Sequence, residues 1–345
     1  MERLAHVDAL RGSAAVLLLV QTLLVPLAGD GPPTDYGLDL WLLAILWFLL
    51  GCGFVVPASL HASTDGGRGF IVRRLLRLVP TYLLAAVLTL MLLPDAPAWL
   101  PGVQAPTAAI PFEVAGAYGA MPPILMFYGL CLLLHQLGLL QSVSLRTGCA
   151  LLLLAGALLL AMARQLLNEA LPVTLPLVLS LMFFASLWHE AQHEQSSYAR
   201  RRAREYARYT LRAYGLVLPV IFIVGWSRGE ASWLRDLLTY AVALAAFVLL
   251  TGRLPLRTPL LLWLGNLGYG LYLLLPAMRQ LANMLMQSIA LSAAAADLTG
   301  AALGLVLALG AAMLCRLLLE QPLAHAGKRL TGQCGLLPLA RLHSR

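Results

Sequence analysis

Apolar runs close to twenty residues long, separated by short polar clusters, recur along this chain almost from its first residue. A helix needs roughly 20 consecutive apolar residues to cross the hydrocarbon core of a bilayer, and ten runs have that length and polarity. Their cores are residues 13–28, 38–60, 75–93, 121–140, 147–163, 172–188, 211–227, 233–252, 259–278 and 300–319. The fifth and sixth are short runs parted by Arg164, Asn168 and Glu169. The pattern predicts an all-α, polytopic transmembrane bundle of about ten spans. Residues 1–330 form a single transmembrane domain, and 331–345 a short cytoplasmic tail.

Composition supports this reading. Of 345 residues, 60% are hydrophobic and 12% charged, whereas soluble domains carry about 25% charged residues. Much of the exterior must therefore face lipid. The formal net charge of +8 is read as a topology signal before any affinity for nucleic acid, which is not expected as a partner. With ten spans, 20 of the 24 basic residues fall on the side of the two termini and only Arg164, Arg228, Arg235 and Arg279 on the other. Basic residues mark the cytoplasmic side, so both termini are expected there, in the inner (plasma) membrane. The first run resembles a signal peptide, with a small-residue exit at Leu27-Ala28-Gly29. Cleavage would discard Asp8 and Arg11, so it is read as an uncleaved helix. Cys52, Cys131, Cys149, Cys315 and Cys334 form no CxxC pair, which argues against a disulfide framework or a zinc site; no metal is expected.

Two polar regions interrupt the apolar rhythm. The connection from Pro94 to Ala120 is rich in Pro, Ala and Gly, as a partly re-entrant or lid-like loop would be. The stretch from His189 to Arg212 suits a cytoplasmic helix extending from the membrane. Within it, His189 and His193 have i, i+4 spacing but no evident third metal ligand, and are read as a solvated helix end. Arg200 to Arg212 is read as an anchor for anionic headgroups.

Ionisable residues at the edge of a bilayer are costly and tend to be functional. Asp8 and Arg11 lie three apart at the entry to the first span, on one helix face. They suit an interfacial ion pair that sets orientation, or an anion site in which Arg11 binds a phosphate or carboxylate. Arg73 and Arg77 share a face one turn apart, with Arg74 beside them, at the mouth of the third span. The approach Gly66-Gly67-Arg68-Gly69 would let backbone come close to a bulky anion.

In this order the motifs resemble the membrane-bound acyltransferase 3 family. The Asp-x-x-Arg-Gly entry is matched by Asp8 to Gly12, and the end of the second span by Phe48 to Phe54. The Arg-Arg-x-x-Arg-x-x-Pro run is matched by Arg73 to Pro80, a late Trp-Leu-Gly element by Trp263 to Leu273, and the closing Glu-x-Pro by Glu320-Gln321-Pro322. The resemblance implies transfer of an acyl group, often acetyl, from cytoplasmic acyl-CoA to a hydroxyl of a cell-envelope carbohydrate or related acceptor. It implies no permanently bound cofactor. The donor's phosphates would meet Arg11, Arg73, Arg74 and Arg77, and the acceptor hydroxyl would need a general base.

The family places a histidine eleven positions after the motif arginine. Eleven residues turn about 1100° and rise roughly 16 Å on a helix, so the pair would share one face at two depths. Here that position is Thr22, beside Gln21, and neither is a base at neutral pH. The family serine of the second span appears as Cys52, and the later one as Gly268. His135, inside the fourth run, is the substitute base the sequence offers, although a buried, hydrogen-bonded histidine is the plainer reading. Cys52 offers a covalent relay or merely a small packing residue, and Glu320 a structural partner for an arginine. The alternative to an enzyme is a catalytically degenerate relative serving as an envelope-glycan transporter or assembly subunit.

Overall fold

A computed structural model describes residues 5–27, 37–61, 67–92, 119–167, 169, 171–226, 233–252 and 258–286, together with 293–330. The expected re-entrant loop lies almost wholly outside the described residues, as do the 331–345 tail and Cys334. The described residues are helical, with no strand among them. In chain order the helices are α1 (Ala5–Leu27), α2 (Leu40–His61), α3 (Arg68–Leu92), α4 (Met121–Gln136), α5 (Val143–Leu167) and α6 (Thr174–His193). There follow α7 (Ser197–Trp226), α8 (Trp233–Gly252), α9 (Pro259–Met286) and α10 (Ala293–Cys315). A π-helical turn (Arg316–Glu320) then leads without a break into α11 (Gln321–Leu330).

Each apolar run of the sequence falls on helix, the fifth and sixth runs on α5 and α6, the fourth only as far as Gln136, and the tenth across α10 and the π turn. Eight of these helices are long and apolar enough to cross a membrane. The sixteen-residue α4 is about 24 Å long, short of the roughly 30 Å hydrocarbon core, and α1 also falls outside that set. The fourth run was expected to continue to residue 140; Gly138 stops it. With φ at +72°, Gly138 occupies the left-handed conformation that glycine adopts without steric cost. The Gly138 N–H donates to the His135 carbonyl at 3.0 Å, and the Leu139 N–H to the Leu134 carbonyl at 2.8 Å, the two bonds of a Schellman end. The basic stretch after α6 is a helical extension of the seventh apolar run: α7 runs unbroken for 30 residues from the polar end into the apolar region.

The exterior is apolar where a bilayer would lie. Leu83, Met91, Leu152, Leu216 and Leu318 are all exposed, an arrangement stable only if lipid replaces water around them. Inside, α9 packs against α1, α3 and α10, while α2 lies between α1 and the pair α6 and α8. Small residues set the closest approaches. A Cβ on Gly12 would collide with the Leu261 backbone, one on Gly265 with the Asp8 carbonyl, and one on Gly53 with Met182. The glycines of three sequence motifs are thus the points where α1 meets α9 and α2 meets α6.

Cross-helix bonds fix which helix ends lie together. The Asp39 N–H donates to Thr239 Oγ1 (3.1 Å) at the start of α2 and α8, and Trp188 Nε1 to Thr251 Oγ1 (2.9 Å) at the far end of α6 and α8. Arg146 at the start of α5 pairs with Glu190 near the end of α6. The start of α3 meets the π turn and α11 through Arg77 and Glu320, 3.6 Å apart. Arg11, Arg74, Arg77, Arg146 and the arginines of early α7 therefore gather at one end of the bundle; Arg164, Arg235 and Arg279 sit toward the other.

Candidate functional site

At the basic end, α1 carries Asp8 and Arg11 on one face. Arg11 Nη1 stands 3.6 Å from Asp8 Oδ1, and the Arg11 side chain is only 14% exposed. Its Nε is buried without a hydrogen-bond acceptor. The side chain lies across Gly51, where a Cβ would come within 3.7 Å of that Nε. The glycine ahead of Cys52 thus gives the guanidinium its place between α1 and α2, and Cys52 is buried beside it.

From α3 come Arg74 and Arg77. Arg74 stacks over the Phe70 ring at 5.4 Å, and Phe70 meets the Tyr128 ring edge-on at 6.1 Å. Tyr128, buried on α4, lies within electrostatic range of Cys52, Arg74, Arg11 and Arg77. Arg77 is the bridge to the chain's last helices: its Nε faces Glu320 Oε2 at 3.6 Å, with Arg77 40% exposed and Glu320 only 8%. Tyr269 on α9 closes the wall. Its hydroxyl donates to the Leu78 carbonyl at 2.9 Å, and Phe48 stacks on Tyr269 and Tyr272, at 5.8 and 6.4 Å.

The π turn explains the position of Glu320. Pro322 has no N–H to give the helix ladder and its ring clashes with the carbonyl four residues back. Widening the preceding turn absorbs both defects and rotates Glu320 inward toward α3. Such bulges recur at functional sites, and this one brings the last sequence motif against the third.

Four arginines were grouped as one mouth from the sequence; the structure divides them. Arg11, Arg74 and Arg77 share the neighbourhood of Tyr128, whereas Arg73 packs its stem against α11, its Cγ 3.3 Å from where a Gly327 Cβ would stand. His135 does not sit deep within an apolar helix. It occupies the last turn of α4, half-buried, its Cδ2 3.4 Å from the Cβ position of Gly67, whose φ is +85°. The backbone of Thr22 continues α1 without interruption from Arg11, but its side chain lies outside the described residues. Cys52, Tyr128, Tyr269 and Glu320 complete the cluster. Of these, Tyr128 lies in Leu125-Met126-Phe127-Tyr128, where the resemblance leads one to expect an aromatic without indicating which residue supplies it; packing buries Phe127 edge-on against Phe183 at 5.1 Å and sets Tyr128 beside Phe70.

His189 and His193 close α6, with His193 exposed, as at a solvated helix end, and His189 half-buried; their rings stack at 4.7 Å, and both lie edge-to-face with Phe54, at 4.7 and 5.7 Å. Among the described residues, no group of three or more His, Cys, Asp or Glu side chains is placed to hold a metal ion.

Chemically, the main cluster presents three guanidiniums against the two carboxylates of Asp8 and Glu320, a formal excess of one positive charge at the end of an apolar bundle. Such a site favours an anion with several oxygens, because guanidinium forks bind phosphate and carboxylate in matched geometry. No family model, curated protein or solved structure matches the chain.

Proposed function

We propose that this protein is a ten-span plasma-membrane O-acyltransferase with both termini in the cytoplasm, a divergent member of the membrane-bound acyltransferase 3 family. It moves an acyl group, acetyl in the simplest case, from cytoplasmic acyl-CoA to a hydroxyl of an envelope carbohydrate or related acceptor. The observation that carries this reading is the convergence of Arg11, Arg74 and Arg77 beside Tyr128 and Cys52, where α1, α2, α3 and α4 meet.

The phosphates of the donor are held by these guanidiniums at the cytoplasmic mouth, and the thioester reaches into the bundle along α1. The acceptor oxygen attacks the thioester carbon, the C–S bond breaks, and the thiolate leaves toward the mouth. The hydroxyl proton must pass to a base, and no histidine appears among the described partners of Arg11, Arg77 and Tyr128. That observation favours a second reading, in which the same fold moves or helps assemble an envelope glycan without transferring acyl groups.

Acetyl-CoA turnover by the purified protein in lipid nanodiscs, with and without the Arg11→Ala change, separates them. The enzyme reading expects CoA release that falls at least tenfold in the variant. Equal background rates in both proteins sink it, and donor binding without turnover supports the second reading.

A further inference from the structure

The two sides of α7 differ along its 30 residues. One side, with Ala203, Ala207, Tyr214 and Leu218, is buried, and α7 packs against α5 and α6. The other side is open and changes character partway. Leu216, Val220 and Ile223 are exposed apolar residues. One to two turns before Leu216 stand Arg208, Tyr209 and Arg212, exposed as well. Spacings of three and four residues keep all six on one helix face.

The arginines of this stretch divide by what they already hold. Arg200 Nε donates to the Glu194 carbonyl at 2.6 Å and Arg204 Nε to the Ala191 carbonyl at 2.9 Å, so these two tie α7 to the end of α6. Arg201 stands 3.6 Å from Glu205, and Arg202 lies over the Tyr206 ring at 5.7 Å. Arg208 and Arg212 have no carboxylate within ion-pair distance among the described residues. Arg212 lies over the Tyr209 ring at 5.8 Å, a contact that holds a guanidinium without using a hydrogen-bond acceptor. Gly215, one turn on, has nothing within 4 Å of where a Cβ would stand, so the surface beside both guanidiniums is open.

Depth selects the occupant. From Arg212 to Ile223 the helix rises about 16 Å, close to half of the roughly 30 Å hydrocarbon core. Two uncompensated charges therefore stand at the head of an apolar strip as long as one leaflet is deep. A soluble anion would use the charges and leave the strip, and a zwitterionic headgroup would bring its own ammonium to the arginines. We infer that α7 binds one anionic phospholipid of the leaflet at the basic end, its phosphate on Arg208 and Arg212 and an acyl chain along Leu216, Val220 and Ile223. The site uses no residue of the Arg11 cluster and does not depend on acyl transfer.

Quenching by brominated lipids tests this. The full chain carrying Leu216→Trp is placed in bilayers of equal parts phosphatidylglycerol and phosphatidylcholine, one or the other dibrominated. The fluorescence added over the unsubstituted chain should show a preference for phosphatidylglycerol of about fivefold or more, the worth of one basic residue near an anionic leaflet. Adding Arg208→Gln and Arg212→Gln should bring that preference close to one with the melting temperature unmoved, since both side chains are exposed. Arg201→Gln should keep it. Leu152→Trp, on α5 and 73% exposed against 74% for Leu216, should show none. Equal quenching by the two lipids at Leu216→Trp, the same preference at Leu152→Trp, its survival in the double arginine variant, or its loss on adding inorganic phosphate overturns the inference.

Discussion

Replacing Arg77 by methionine removes one side of an ion pair whose two halves are unequally buried. Glu320 is 8% exposed and Arg77 40%, at a separation of 3.6 Å. Without Arg77 the carboxylate stays where the π turn holds it, with Arg316 as its remaining counter-charge and little water. Breaking a buried pair in this way costs about 3–5 kcal/mol; the partly open arginine side admits some solvent, so about 3 kcal/mol is expected. The reverse change, Glu320→Gln, leaves an arginine that turns to water and should cost about 1 kcal/mol or less. The double variant Arg77→Met with Glu320→Gln should recover most of the loss, because no buried charge remains. Thermal unfolding in one detergent, followed by tryptophan fluorescence, gives the comparison, at roughly 2 °C per kcal/mol for a chain of this size. Equal losses in the two single variants, or a double variant worse than Arg77→Met, would show that the pair does not act through an uncompensated Glu320.

Other consequences follow from the packing. Gly265→Ala drives a methyl into the Asp8 carbonyl and should cost about 1–3 kcal/mol, whereas Gly310→Ala, with nothing within 4 Å of the added carbon, should be neutral or slightly stabilising; melting both variants side by side checks the contrast. The Ser180 hydroxyl donates to the Ala150 carbonyl at 2.6 Å and therefore accepts from Tyr214, also at 2.6 Å. Tyr214→Phe removes one bond and leaves Ser180 satisfied, for about 1 kcal/mol, while Ser180→Ala strands both partners and should cost more, up to about 3 kcal/mol; a reversed order in denaturant unfolding contradicts this hydrogen-bond direction. Under the acyl-transfer reading, Arg74→Gln should raise the apparent KM for acetyl-CoA about tenfold, the effect of losing one charge-assisted contact. Arg73→Gln, whose stem packs on α11, should change KM less than threefold.

Hydropathy along the chain determined most of the architecture. A run of apolar residues near twenty can satisfy its backbone in lipid only as a helix, so every run became helical, even those flanking Arg164, and eight of the helices are long and apolar enough to cross a membrane. The clustering of arginine foretold which helix ends share one face of the bundle, and the motif glycines at 12 and 265 marked where two backbones touch. These are properties of single helices, or of residue types whose smallness has one main use.

The site itself was only half legible. Asp8, Arg11, Arg74 and Arg77 could be named from spacing, but the departure of Arg73 toward α11 and the arrival of Tyr128 could not. Which flank of an amphipathic or uniformly apolar helix faces its neighbour depends on that helix's rotation and depth, and those are set jointly by every helix packed around it. The Arg77–Glu320 pair, the packing of His189 and His193 against Phe54 and the Arg146–Glu190 pair all arise from such joint choices, between residues from 44 to more than 200 positions apart. Tertiary packing alone decided them, because a periodic pattern records that a side chain is apolar or charged and is silent on which distant partner it will meet.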